Sequence, residues 1–261
     1  MTDDRRDLLA ICVGNTRTRV GYFHRDTLTD SKTVSSDDAA AVAAAAVELV
    51  PDPANAFAVI ASVNPTDADA IASDLTTALG AGSVARLGVD IPIPIRHSLD
   101  DDSTVGHDRL LNALAAFSHA SQACVVVDVG TAVTIDFIDG GGIFHGGMIL
   151  PGLNMMLRAM HEQTAALPVV NFAVPDPARG LLGKDTPHAM TLGVLAAVRG
   201  GIRTATEAAA EVCGAYPQIV ATGGDMGILE DEGLIEHFVP DLQLLGVLAC
   251  VKAARGEADG A

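Results

Sequence analysis

Two apolar runs in this chain each lead into a glycine turn and are each followed by a second apolar run. The first run covers residues 8–13 and turns at Gly14, and the second covers residues 125–129 and turns at Gly130. A strand that turns at glycine with Thr or Asn beside it, and then resumes, forms a tight hairpin whose N–H groups and hydroxyls can surround a phosphate. Two such hairpins predict a duplicated fold with a nucleotide between its halves.

Helices and strands alternate along the remainder of the first half. The first hairpin, over residues 8–23, is followed by an alanine-rich helix that ends near residue 50. A buried strand is predicted over residues 57–63, and a helix over 65–79 has apolar residues at helical spacing. This order is typical of an α/β domain.

The second half repeats this style. Antiparallel strands with glycine turns are predicted from about residue 123 to 149, and a long helix is predicted over residues 187–212. Three glycines in that helix indicate close packing or a break, and close approach to another subunit is one explanation. With a closing helix over residues 242–254, we predict two duplicated α/β domains, at residues 1–118 and 119–261.

The composition limits the classes of partner. The chain has 261 residues, 49% of them hydrophobic, which is enough for a sizeable core. Its formal net charge is -17, from 33 acidic against 16 basic residues, so a polyanion such as nucleic acid would be repelled. A phosphate site stays open, because it needs only a few local donors and a metal ion.

The cysteines and the N-terminal residues favour a cytoplasmic protein. The four cysteines are scattered without zinc-site spacing, so we expect buried or free thiols in a reducing compartment. Residues 1–7 are charged and lead into a short strand, which is typical of neither a signal peptide nor a membrane span. No membrane partner is expected.

A helix that begins near residue 106 carries an adjacent Asp and Arg in its first turn. Asp108 is explained either as a helix cap or as an acceptor for a substrate hydroxyl proton. The neighbouring Arg109 favours the second interpretation, because its guanidinium fork can bind a carboxylate. The pair suits a substrate that carries both groups.

Taken in order, these motifs resemble the type III pantothenate kinase family, also called the CoaX type. The resemblance spans nearly the whole chain and is specific, because the order, spacing and type of the motifs agree together. The motifs are Gly14-Asn15-Thr16, Gly106-His107-Asp108-Arg109 with Asn112, Asp128-Val129-Gly130-Thr131-Ala132 with Thr134, Gly146-Gly147 through Pro151-Gly152, Thr164 to Pro168, Gly183-Lys184-Asp185-Thr186 and Thr222-Gly223-Gly224.

The resemblance implies a fold and an activity. Its members share with actin, sugar kinases and heat-shock chaperone ATPases two duplicated, ribonuclease-H-like α/β domains with ATP in the cleft between them. They phosphorylate the 4′-hydroxyl of pantothenate, the first step of coenzyme A biosynthesis, using ATP and a divalent cation such as Mg²⁺. They typically also require K⁺ or NH₄⁺ and work as homodimers.

The resemblance also implies roles for particular residues. Asp108 is the catalytic proton acceptor, Thr186 contacts pantothenate near the dimer interface, and Asp128 is a ligand of the monovalent cation. Pantothenate is further expected to contact Gly106, His107 and Arg109. ATP is expected to contact Gly14, Asn15, Thr16, Thr18, Gly130, Thr131, Thr134, Gly223 and Gly224.

Two positions depart from the family's pattern. Cys12 stands where the family has an Asp that organises Mg²⁺, and sulfur is a poor ligand for a hard cation. A buried strand residue is the simpler interpretation of Cys12, and metal binding then depends on Asp128 and the phosphates. Leu99 stands where the family has a substrate-contacting Tyr. Two alternatives to a pantothenate kinase therefore stay open: an impaired relative with a regulatory or nucleotide-binding role, and a kinase for another small hydroxy acid.

Overall fold

A computed structural model describes residues 7–62 and 65–257, which group into two compact units. The first unit takes in the described residues up to Arg96, then Asp100–His119 and the segment that begins at Asp241. The second unit takes in His97–Leu99 and Ala120–Pro240. Residues 1–6, used above for the N-terminal prediction, and Val63, at the end of the strand predicted over 57–63, lie outside the described residues.

The first unit contains a five-stranded sheet with helices on both faces. Its elements, numbered in chain order, are β1 (Asp7–Val13), β2 (Arg17–His24), β3 (Thr27–Ser35), α1 (Ala39–Glu48), β4 (Ala56–Ser62), α2 (Pro65–Leu79), β5 (Val84–Arg86), α3 (His107–Ala120) and α6 (Leu242–Ala254). The strand order is β3-β2-β1-β4-β5. β1 pairs antiparallel with β2 and parallel with β4.

The alternation of side chains along β1 explains why the closing helix groups with the first unit. Leu9 and Ile11 point to one face and pack with α1 and α2, whereas Leu8 and Ala10 point to the other face. That second face is covered by α3 and α6, and Leu244 of α6 is fully buried there. The sequence instead assigned residues 119–261 to a single domain, because contacts between distant segments leave no local signal.

The second unit repeats this design around a six-stranded sheet. Its elements are β6 (Arg96–His97), β7 (Cys124–Val129), β8 (Ala132–Ile138), β9 (Ile143–Pro151), α4 (Leu153–Glu162), α5 (Thr186–Cys213), β10 (Gln218–Thr222) and β11 (His237–Phe238). The strand order is β11-β10-β7-β8-β9-β6. Short 3-10 helices cover Pro53–Asn55, Pro177–Arg179 and Met226–Glu232.

The two sheets share one pairing scheme. In each, a central strand lies between an antiparallel partner that follows it directly and a parallel partner that comes later in the chain. β1 has β2 and β4 in these places, and β7 has β8 and β10. The predicted duplicated α/β architecture is confirmed.

Candidate active site

Asp108 lies at the start of α3, where its carboxylate is held by the backbone. Its Oδ1 accepts a hydrogen bond of 2.9 Å from the Arg109 N–H. A Cβ added at Gly106 would overlap with the same oxygen, so the carboxylate lies directly against that glycine. Asp108 is half-buried. The arrangement gives it a defined orientation at the beginning of a helix, where negative charge is favoured.

The Asp108 carboxylate lines a cavity of about 40 Å³ within the first unit. This volume exceeds the roughly 10–15 Å³ that one water molecule needs. The cavity is formed by the ends of β1 and β4, the first turns of α3 and the start of α6, and it is lined by Cys12, Val13, Gly14, Ala61, Ser62, Asp108, Leu111 and Gln243. Asp108 and Gly14 of the first glycine turn thus line the same cavity. Ser62 and Gln243 were not identified from the sequence, because only the tertiary fold places them here.

The thiol of Cys12 is buried in the same cavity wall and is 4% exposed. Burial raises the pKa of this thiol well above its usual range, and the negative charge of Asp108 raises it further. Cys12 is therefore a neutral thiol at physiological pH. A neutral sulfur does not fit the hard Mg²⁺ ion, so position 12 supplies no ligand for a divalent cation.

The first hairpin exposes Asn15 and Thr16 at its turn but buries Thr18. The Thr18 hydroxyl lies 3.0 Å from the Ser36 hydroxyl, inside the unit. Val13 pairs with Thr18 across the turn. In this conformation Thr18 fixes the base of the hairpin and presents no surface to a nucleotide.

The second hairpin has a turn that is one residue shorter. There Val129 pairs with Val133, so Thr134 pairs with Asp128 and shares its face of the sheet. Because side chains alternate between faces, one extra residue in the first turn moves Thr18 to the face opposite its sequence counterpart Thr134. Thr134 therefore lies beside Asp128, whereas Thr18 lies on the face opposite Cys12.

Two glycines, Gly223 and Gly152, pack against this second turn, which itself begins at Gly130. Gly223 has φ +93, and a Cβ there would overlap with Asp128 Oδ1 and the Val129 carbonyl oxygen. The Gly152 N–H donates to the Thr131 carbonyl oxygen at 3.0 Å, and a Cβ on Gly152 would overlap with the same carbonyl. The turn is thus packed tightly by glycine backbone on two sides.

The residues around this second turn include one carboxylate and several polar groups. Asp128 and Thr134 are half-buried, while Thr131 and Gly224 are exposed. Thr222, on the neighbouring strand β10, pairs with Asp128. A carboxylate with hydroxyls beside it is a donor set that fits K⁺ or another oxygen-preferring cation.

The remaining predicted substrate residues lie in different surroundings. The His107 ring lies against the backbone of Gly88, and its buried Nδ1 finds no hydrogen-bond partner among the described residues. Arg109 is half-buried. Thr186 is exposed at the first position of α5, directly after the capping residue Asp185. The structure thus brings Asp108 and the first turn together, and it places Thr186 on the surface of the second unit.

Within the part of the chain that the structure describes, no three His, Cys, Asp or Glu side chains converge to hold a metal ion. Mg²⁺ in kinases is commonly bound by one or two carboxylates together with phosphates and waters, so this does not conflict with phosphoryl transfer. The neutral thiol of Cys12 does not fit such a role. Separately, none of the described helices has the length and apolar character needed to span a membrane.

Comparison with known proteins decides the family. The sequence profile of the family described as type III pantothenate kinase matches residues 8–208. A type III pantothenate kinase of Rubrobacter xylanophilus is 32% identical over 265 residues, covering 95% of this chain and 99% of that protein. The chain belongs to the type III pantothenate kinase family. The resemblance described from the motifs is confirmed.

Other members of this family align over shorter regions. A type III pantothenate kinase of Treponema pallidum is 38% identical over 174 residues, which cover 64% of this chain and 60% of that protein. One of Rhodopirellula baltica is 41% identical over 148 residues, which cover 54% of this chain and 50% of that protein. The matched region therefore spans half to three fifths of the length of these relatives.

Solved structures share the fold at low sequence identity. A protein of the Baf family from Campylobacter jejuni superposes with a TM-score of 0.62 at 20% identity, covering 95% of this chain and 99% of that chain. Component A of the (R)-2-hydroxyglutaryl-CoA dehydratase of Acidaminococcus fermentans superposes with a TM-score of 0.54 at 14% identity, covering 97% and 100%. At these identities the likeness concerns the fold alone, and it confirms the predicted actin-like ATPase fold.

Proposed function

We propose that this chain transfers the γ-phosphoryl group of ATP to the 4′-hydroxyl of pantothenate, the first step of coenzyme A biosynthesis. The observation that carries the proposal is the Asp108 carboxylate, which is oriented at the start of α3 and faces the cavity next to the first glycine turn. Membership of the type III pantothenate kinase family supports it. The chain is accordingly assigned as a phosphotransferase with an alcohol acceptor.

Asp108 acts by orienting the acceptor hydroxyl and accepting its proton. Phosphoryl transfer passes through a loose transition state, so alignment of the hydroxyl with phosphorus matters more than the strength of the base. The hydrogen bond from Arg109 N–H fixes the carboxylate during this alignment. Gly106 leaves room for the carboxylate, because any side chain there would occupy the position of Oδ1.

ATP binding is assigned to the two glycine turns and the loop after β10. The exposed Asn15, Thr16, Thr131 and Gly224 present donors without adding negative charge. Bound cations supply the positive charge that a chain of net charge -17 lacks. Mg²⁺ or another divalent cation, held by the phosphates together with Asp128, would neutralise charge on the transferred group.

A monovalent cation, K⁺ or NH₄⁺, is assigned to Asp128. Its carboxylate lies against Gly223. On the neighbouring strands Asp128 pairs with Thr134 and Thr222, which supply nearby hydroxyl oxygens. This donor set is oxygen-rich and half-buried, which suits a weakly hydrated cation. Cys12, at the matching position of the first sheet, offers no comparable ligand.

Pantothenate binding is assigned to Gly106, His107, Asp108 and Arg109, with Thr186 contributed at a homodimer interface. Exposed apolar side chains precede Thr186, since Leu181 is 93% and Leu182 is 78% exposed. Large exposed apolar side chains indicate an interaction surface. A Cβ added at Gly193 or Gly200 on α5 would meet no described atom outside the adjacent helix backbone within 4 Å, so a second copy can approach there closely. A cytoplasmic location accords with the substrates.

A second candidate function is favoured by the buried thiol of Cys12. If the phosphates and the remaining carboxylates hold no divalent cation without a ligand at position 12, the chain is an impaired relative that binds nucleotide in a regulatory role. Leu99 in place of the family's Tyr favours a third candidate, a kinase for another small hydroxy acid. Each of the three makes a different prediction for turnover with a set of acceptors.

The test is ATP-dependent phosphorylation with Mg²⁺ and K⁺, measured as ADP release across pantothenate and a panel of small hydroxy acids and sugars. We expect the highest kcat/KM with pantothenate. If the folded protein binds ATP by calorimetry but phosphorylates no acceptor, the kinase proposals are rejected and the nucleotide-binding role is supported. A higher kcat/KM with another acceptor would establish the third candidate.

A further inference from the structure

The cavity beside Asp108 contains polar side chains to which the proposed function assigns no role. Gln243 and Ser62 line it together with Gly14 of the first glycine turn, and all of these residues belong to the first unit. The rest of its described wall consists of apolar side chains and the neutral thiol of Cys12. Among the described lining residues, Asp108 therefore supplies the negative charge, and Gln243 and Ser62 supply neutral hydrogen-bonding groups.

Gln243 is held close to Asp108 by the packing of α6 against α3. A Cβ added at Gly246 of α6 would overlap with the Leu111 carbonyl oxygen of α3, so the two helix backbones lie in contact there. Leu111 follows Asp108 by three residues along α3. Gly246 follows Gln243 by the same interval along α6. Both polar side chains therefore lie about one turn before the same helix contact.

The residues on either side of Gln243 anchor the beginning of α6 to the first sheet. Asp241, which precedes α6, has its Oδ1 2.5 Å from Nε of Arg19 on β2. Leu244 is fully buried, and a Cβ added at Gly21 of β2 would overlap with its side chain. Gln243 itself is half-buried. These contacts give its amide a defined place in the cavity wall.

An acceptor hydroxyl held at Asp108 can make one further hydrogen bond. It donates its single proton to the carboxylate and directs one lone pair of its oxygen at phosphorus. The other lone pair can accept an N–H, and a side-chain amide has two of them. A serine hydroxyl has one proton only, whereas an amide that already donates one N–H keeps the second. Gln243 therefore suits this position better than Ser62.

We infer that the Gln243 side-chain amide donates a hydrogen bond to the acceptor hydroxyl and fixes the direction of its attacking lone pair. This inference rests on the proposed function and concerns the same site. During transfer the hydroxyl oxygen bonds to phosphorus, the bond from phosphorus to the ADP oxygen breaks, and the hydroxyl proton passes to Asp108. Gln243 keeps its own protons throughout. Because the transition state is loose, alignment of this kind contributes more than a stronger base would.

The test is a double-mutant cycle between Gln243 and the hydroxyl of the acceptor. Calorimetry measures the Kd of pantothenate and of an analogue with hydrogen in place of the 4′-hydroxyl, while a non-hydrolysable ATP analogue occupies the protein. The wild type should bind pantothenate about tenfold more tightly than the analogue, because the hydroxyl makes hydrogen bonds. Gln243→Met, which is similar in size but has no donor, should reduce this ratio to about threefold or less. It should leave the Kd of the analogue unchanged.

Turnover and three further variants complete the test. With pantothenate and ATP, kcat of Gln243→Met should fall about tenfold, because the hydroxyl is less well aligned. Gln243→Leu provides the same comparison if the methionine variant does not fold. Ser62→Ala should keep the wild-type ratio of Kd values. Gln163→Met, at an exposed glutamine outside the cavity, is the matched control and should change neither the ratio nor kcat.

The outcomes separate this inference from the proposed function. Absence of pantothenate phosphorylation by the wild type would reject the proposed function and the inference with it. Wild-type turnover with an unchanged Kd ratio in Gln243→Met would overturn the inference alone, because the amide would then make no contact with the hydroxyl. Loss of the ratio in Ser62→Ala together with its retention in Gln243→Met would also overturn it and assign the hydrogen bond to Ser62.

Discussion

At the residue scale, Cys12 and Asp128 occupy matching positions in the two sheets but have different cross-strand neighbours. Asp128 pairs with Thr134, and Cys12 pairs with Arg19. The Arg19 guanidinium is committed to Asp241, whose Oδ1 it approaches at 2.5 Å. A neutral thiol beside a cation attracts no further cation, whereas a carboxylate beside hydroxyls does. We therefore expect a cation to bind at the second hairpin and not beside Cys12 in the first.

Replacing the thiol should show what the first hairpin lacks. Cys12→Asp places a second carboxylate beside Asp108, and we expect turnover to rise about tenfold with a steeper dependence on Mg²⁺, because oxygen suits that ion. In the absence of Mg²⁺ a buried carboxylate at position 12 beside the like charge of Asp108 should lower the melting temperature. Cys12→Asn, similar in size but uncharged, is the control. Equal turnover and equal Mg²⁺ dependence of the two variants would show that position 12 takes no part in metal binding.

The candidate site could be predicted from the sequence where function depends on local motifs. Asp108 was identified because it stands beside Arg109 in the first turn of a helix, and the structure places it beside the first glycine turn. Gln243 and Ser62 share its cavity but carry no motif, since both reach it through the packing of distant segments. Thr18 was assigned to ATP from the likeness of the hairpins, and the longer first turn buries it.

At the element scale, helices were easier to predict than the polar edge of the first sheet. The long helix predicted over residues 187–212 is α5, which is one residue longer at each end, and the closing helix α6 has the predicted bounds. β3 was missed because its side chains are mostly exposed and lack an apolar alternation. The turn before it is formed by Arg25 and Asp26, both at positive φ, in place of the Asn-Gly that usually marks such a hairpin.

The tight packing of the second hairpin can be tested at Gly223. Gly223→Ala imposes a side chain at φ +93 and forces it against Asp128 Oδ1, so we expect a loss of about 3 kcal/mol in the free energy of unfolding. Gly214→Ala is the matched control, because Gly214 has φ +74 but no atom within 4 Å of the added Cβ. It should cost only about 1 kcal/mol. Urea unfolding measures both, and equal losses would show that the Asp128 contact contributes nothing.

At the scale of the whole molecule, the exposed apolar residues are concentrated in the second unit. Leu181 and Leu182 precede α5, and Ile149 and Val169 are also more than half exposed there. Exposed apolar side chains of this size on an acidic chain indicate association through apolar contacts. Leu181 and Leu182 lie close in the sequence to Thr186, the residue proposed to act at a homodimer interface.

The homodimer proposal predicts the effect of charge on this surface. The double substitution Leu181→Asp with Leu182→Asp should weaken dimerisation at least about 100-fold, because each buried leucine contributes about 1.5–3 kcal/mol. Sedimentation velocity should show a dimer for the wild type and a monomer for the variant at micromolar concentration. Val89→Asp, at a residue 71% exposed in the first unit, is the control and should remain dimeric. A monomeric wild type would reject the homodimer.

The rate of ATP-dependent pantothenate phosphorylation by Asp108→Asn, measured beside the wild type, tests the central claim most directly. Because the amide is a poor acceptor for the hydroxyl proton, we predict that turnover falls at least about 100-fold while calorimetric ATP binding stays unchanged. Asp100→Asn, at an exposed carboxylate near the same helix, should retain wild-type turnover. Equal turnover of Asp108→Asn and the wild type would contradict the role of Asp108 on which this account depends.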